Sequence, residues 1–219
     1  MVSHEDKRGS HLQDAVRLLF LLDRAGEPLE KEELPEAVCV VRAESRVQAM
    51  VFWMRNPDFL AHEVLRDIED GVRPKSDLGV AAGLLDGDEP ELRRYPMAMS
   101  QFSAYEPLDN AFAVLVAQRL ADRGQQRLSA KKVRKNFYLL QAGRDVARDI
   151  VKQEPVLAWY DDRAVLVSEV AREQNGTVLK IRQRQHPEYA GTKPGTKIPA
   201  ITSLVREHLD QMRASETLI

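Results

Sequence analysis

Five histidines, His4, His11, His62, His186 and His208, are the side chains best able to bind a metal or move a proton near neutral pH. No two of them stand at a His-x-x-x-His spacing, and His62-Glu63, as neighbours on a helix, point in different directions. His186 lies near Glu188 and Tyr189, but no nucleophile or ligand set accompanies it. A Gly-x-Ser-x-Gly elbow and a dinucleotide-binding glycine pattern are both absent. Cys39, the single cysteine, sits in an apolar run that suits an inert buried thiol, and alone it makes neither an internal disulfide nor a zinc cluster. The carboxylates Asp161-Asp162 read as a polar turn, and the acidic piece 86–91 lacks the Asp/Asn alternation of a calcium loop. The sequence therefore names no catalytic residue, no metal ligand and no cofactor.

Basic residues carry the stronger chemical signal. Arg127, Lys131, Lys132, Arg134 and Lys135 crowd one stretch with no acid until Asp145. At the start of a helix they would meet phosphate oxygens together with free backbone amides, and each neutralised phosphate releases counterions. A second set, Lys180, Arg182 and Arg184, falls on one face of a strand by period-two alternation. Two copies of Gly-Thr-Lys follow, at 191–193 and 195–197, around Pro194. Glycine permits close backbone approach, threonine donates a hydroxyl, and Lys193 and Lys197 add charge, a combination suited to phosphate rather than base edges. The glycine spacing is not that of a phosphate-binding P-loop.

The elements that must position these residues are mostly helical. Leu12, Val16, Leu19 and Leu22 predict a helix that starts after Ser10 as N-cap and stops near Gly26. Further helices are expected at 30–38, 43–55 and, after the cap-and-proline pair Asn56-Pro57, up to Gly71. Periodicity fades over 72–107, where prolines and glycines mark a junction between an acidic domain at 1–71 and a basic one at 108–219. Helices at 108–123 and 129–151 come next. Asn175-Gly176 suits a hairpin turn between 163–172 and 177–185, although 164–171 also reads as helix, and a last helix covers 199–212. The expected class is α+β, predominantly α-helical.

The formal net charge of −2 conceals a division. Residues 1–122 carry 14 Lys+Arg against 23 Asp+Glu, a balance of −9, and residues 123–219 carry 18 against 11, or +7. The basic part attracts polyanions, whereas the acidic part repels them or pairs with the basic part within the fold. No stretch approaches the roughly 18 uninterrupted apolar residues of a membrane span. The first eight residues lack the apolar core of a signal peptide, so the expected location is the cytoplasm, with no membrane contact.

The segment 21–29 also echoes 120–128 at an offset of 99, with a helix ending in Asp-Arg and a turn leading to Leu. Helix, short turn with a buried Leu, then helix resembles the opening of a winged helix-turn-helix domain. The resemblance implies tandem copies, with 33–38 as the second helix and 44–54 as the recognition helix of the first. Its turn, 39–42, is apolar enough to be a strand, and no wing hairpin follows Arg55. Acidic residues at Glu30, Glu32, Glu33 and Glu36 would face phosphates badly, so the first copy is assigned a protein contact, with Phe52 and Trp53 as its anchors. The expected function is nucleic-acid binding by the basic part, and contact with a protein partner or another copy by the acidic part. The runners-up are an adaptor subunit without nucleic acid and an enzyme with dispersed residues.

Overall fold

The computed structural model describes residues 4–31, 33–87, 97–101, 103–105 and 107–216, and their side chains except at 4–10, 132 and 216. In chain order the elements are α1 (His4–Ala25), β1 (Ala37–Arg42), α2 (Glu44–Arg55), α3 (Pro57–Glu69), α4 (Leu78–Asp86), α5 (Asp109–Ala117), β2 (Ala121–Ser129) and β3 (Lys132–Leu140). There follow α6 (Gln141–Gln153), α7 (Ala158–Ala171), α8 (Gly176–Arg184), the one-turn α9 (Pro187–Ala190) and α10 (Thr202–Glu216). The fold is α+β and mostly helical, with one three-stranded antiparallel sheet in the order β1-β3-β2.

Helices α1, α2, α3 and α10 arise where the helical spacing of apolar residues places them, although α1 begins at His4, so Ser10 lies inside it rather than capping it. Pro57 occupies the first turn of α3, where a missing N–H costs nothing. The expected helix at 30–38 is instead a pair of turns leading into β1.

Two larger expectations are corrected. Residues 121–140, read as a helix end and a helix start, form the β2–β3 hairpin. Their Gln, Arg and Lys are good helix formers, but β3 pairs with the β-branched run of β1, Val40 with Tyr138 and Val41 with Phe137, and tertiary pairing overrides local preference. Residues 163–185, read as a hairpin, are the helices α7 and α8. Asn175 is not a turn residue there. Its side-chain oxygen accepts from the amides of Thr177 (3.0 Å) and Val178 (3.1 Å), an N-cap for α8. Gly176 is required by packing, because a Cβ on it would collide with Ser45 Oγ and the Arg46 amide. The echo between 21–29 and 120–128 therefore sets the end of a helix over a strand.

One apolar cluster runs from Ala15 to Leu209, so the core is continuous across 72–107, and β1 of the acidic part pairs with β3 of the basic part. α2 lies at its centre, with Arg46 through Met54 all buried. A helix buried on every side has no face to offer a DNA groove, which removes the recognition-helix role from 44–54. Among the described residues no helix is long and apolar enough to cross a membrane.

Candidate nucleic-acid interface

The hairpin is anchored at its base and bare at its end. At the base Phe137 meets Phe112 edge-on at 5.2 Å, and Arg123 lies 4.6 Å over the Phe112 ring while pairing with Asp109 at 2.6 Å. Further out, Arg123, Gln125 and Arg127 are exposed at alternate positions of β2, opposite Phe137, Lys135 and Val133 of β3. At the end, a register shift between Arg127 and Ser129 leaves Leu128 without a cross-strand partner, a β-bulge, and Ala130-Lys131 turn the chain. Leu128 and Val133 are 46% and 53% exposed.

A polar chain stiffens the other face of the ribbon. Arg42 donates to Glu27 (2.7 Å), Glu33 (2.6 Å) and the Pro28 carbonyl (2.9 Å). Asn136 donates to Glu33 (3.2 Å) and accepts from Arg134 (3.0 Å), which also donates to Gln126. Burial alone would push the Glu33 carboxyl up, but hydrogen bonds from Arg42 and the Glu30 amide hold it below the usual carboxylate range. These bonds fix Arg134, whose charge also helps to hold Glu33 ionised.

Leu128, Val133, Arg134 and Lys135 form one wall of a cleft of about 850 Å³, and the starts of α2 and α8 form the other, including Ser45, Arg46, Asn175 and Thr177. Lys135 pairs with Glu44 across it at 2.8 Å, which raises its ammonium pKa. Burial lowers that of Lys180, partly offset by the field of the same Glu44. Glu44 thus links the two basic sets, which the sequence left on separate elements. Arg46 is held inside by Glu27 and the carbonyl of Arg172 (2.7 Å).

The predicted residues divide accordingly. Arg127, Lys131 and Lys135 are exposed on the ribbon, Arg134 is half-buried in its polar chain, and the Lys132 side chain lies outside those described. Lys180 and Arg184, one helical turn apart, share a face of α8, and Arg184 is exposed. Arg182 points the opposite way into the core, where it meets Glu63 at 2.5 Å, Asp67 at 2.6 Å and the Val170 carbonyl at 2.9 Å. It is a structural cation rather than a phosphate contact, because helical geometry separates residues that strand alternation would align. Lys193 and Lys197 are exposed, but the threonine before each serves the loop itself: Thr192 donates to the Glu188 carbonyl and Thr196 to the Lys193 carbonyl, both at 2.6 Å. Phe52 and Trp53 are both 0% exposed and belong to the core, not to an interface.

Gln125 on the ribbon and the cleft residues Ser45 and Thr177 were not singled out from the sequence, and Asn175 was read only as a turn residue. They are uncharged, and Ser45, Asn175 and Thr177 gather only when the starts of α2 and α8 converge. Elsewhere, His62 and His186 meet edge-on at 4.8 Å, and burial lowers both, His62 to about 4. Burial also raises the Cys39 thiol, away from the reactive thiolate. Among the described residues no group of three or more His, Cys, Asp or Glu is placed to hold a metal ion. No protein-family model matches the chain, and neither a curated protein nor a solved structure resembles it significantly.

Proposed function

We propose that the protein binds nucleic acid through phosphate contacts made by the β2–β3 hairpin. The supporting observation is that Arg127, Lys131 and Lys135 are exposed on one ribbon, within a nine-residue stretch holding five basic residues and no acid. Lys180 and Arg184, farther along α8 than the residues that line the cleft, add positive charge on that side. The reading carries no element over from the winged-helix resemblance: four helices, α2 to α5, separate β1 from the hairpin, whose second strand pairs with β1. α2 is assigned no groove contact, and a tandem arrangement is not part of the proposal. The acidic part supplies the surface for a protein partner or second copy.

Labelled duplex and single-stranded oligonucleotides titrated across a salt series test this. Affinity should fall as salt rises, and replacing Arg127, Lys131 and Lys135 together by Ala should flatten the log–log slope by about 2 to 3. Absence of binding at low salt, or an unchanged slope in the triple variant, overturns it. An adaptor role is the second reading, favoured by an apolar groove of about 280 Å³ between α4 and α7 lined by Val80, Leu84, Trp159 and Leu166. It predicts association that Trp159→Ser weakens in sedimentation velocity, with no dependence on nucleic acid.

A further inference from the structure

We infer that the ligand is duplex DNA, with the β2–β3 ribbon lying in its major groove and Gln125, Arg127 and Val133 facing the base edges; this rests on the nucleic-acid reading above. The dimensions agree. Gln125 and Lys135 are an exposed cross-strand pair, and two paired strands about 4.8 Å apart fit, with their side chains, within a groove about 12 Å wide. A two-stranded ribbon is among the elements a B-form major groove admits.

The chemistry on that face agrees as well. Cross-strand partners point to the same side, so Gln125 and Lys135, then Arg127 and Val133, form one exposed surface. Arg fits the O6/N7 edge of guanine, Gln fits the N6/N7 edge of adenine, and an apolar side chain meets the thymine methyl. The neighbouring candidates are committed elsewhere, Arg123 to Asp109 and Gln126 to Arg134. Lys131 at the turn flanks the readers and supplies a phosphate contact, and Lys135, nearer the base, supplies a second when a phosphate replaces its partner Glu44.

Other nucleic acids fit less well. Single strands are held by stacking on aromatic rings, and among the described residues neither the ribbon from Gln125 to Lys135 nor the cleft wall carries one. Phe137 and Tyr138, the nearest rings on β3, are buried. Double-stranded RNA closes its major groove to side chains.

The test enriches a random pool of duplex DNA on the full chain, then compares selected with scrambled duplex by fluorescence anisotropy at fixed salt. Arg127→Ala and Gln125→Ala should each cut the selected-to-scrambled ratio about 5- to 150-fold with the melting temperature unchanged, and methylating guanine N7 within the site should abolish the preference. Binding without sequence preference, preference that survives N7 methylation, or tighter binding to single strands or double-stranded RNA overturns the inference while leaving the phosphate reading in place. Failure to bind any nucleic acid overturns both.

Discussion

Replacing Arg182 by Met separates a structural cation from a binding one. The guanidinium spans α8, α3 and α7 through Glu63, Asp67 and the Val170 carbonyl, with its side chain 9% exposed and its Cζ 5.8 Å from the Trp53 ring centroid. Methionine retains much of the apolar volume but leaves the carboxylates behind. Arg172 still faces Asp67 at 2.7 Å, so Glu63 takes the larger share of the loss. Breaking a buried pair in this way costs about 3–5 kcal/mol. For a chain of this size that moves the urea midpoint down by about 1 to 2 M, followed by tryptophan fluorescence, since Trp53 is fully buried. The loss depends on pH with a definite sign. Burial raises the Glu63 carboxyl and Arg182 opposes that rise; without Arg182 it rises further. An acid whose folded pKa lies above its unfolded value loses stability as pH rises through the folded one, so the deficit shrinks on going from pH 8 to pH 5. Adding Glu63→Gln recovers part of it at neutral pH. A midpoint shift below about 0.3 M, or a deficit that grows on acidification, refutes the reasoning.

Phe52→Ala should cost about 3–5 kcal/mol in thermal or urea unfolding, because the ring packs edge-on against Phe59 and Tyr189 at 5.0 and 5.1 Å; an unchanged transition would return Phe52 to the surface. Gly176→Val drives a side chain into Ser45 and the Arg46 amide and should lower stability by about 1–3 kcal/mol, measured by calorimetry. His62, lowered to about 4, keeps a stabilising neutral form above its unfolded pKa and loses that contribution as pH falls from about 6.5 to 4. Unfolding free energy should therefore drop on the order of 2–3 kcal/mol over that interval, and His62→Gln should flatten the profile.

Much of the helical frame was legible because burial on one side leaves a 3.6-residue signature, as in α1, α3 and α10. α2 shows where that reading stops. Its run from Val47 to Met54 is apolar on all sides, so Phe52 and Trp53 resemble an exposed anchor only when the surrounding helices are unknown. The hairpin was hidden for a different reason: its outer half touches little, so its composition reflects solvent and charge rather than strand packing. The period-two row Val133, Lys135, Phe137 and Leu139 was the available signal, and the charged Lys135 within it, together with the basic run 131–135, masked it. Of the basic residues proposed as phosphate contacts, Arg127, Lys131 and Lys135 are exposed, whereas Arg182, grouped with them because its period was read as two, is buried in ion pairs.

The pairing of β1 with β3 joins residues about a hundred positions apart, Val40 to Tyr138. During synthesis at about 5–20 residues per second, β1 leaves the ribosome some 5 to 20 seconds before its partner exists. Through that interval the apolar run of β1 must be shielded by α1, by the Glu27 bridge to Val40, or by a chaperone. Long-range pairing of this kind slows folding, and the order of synthesis gives the acidic part time to compact before the basic hairpin arrives to close the sheet.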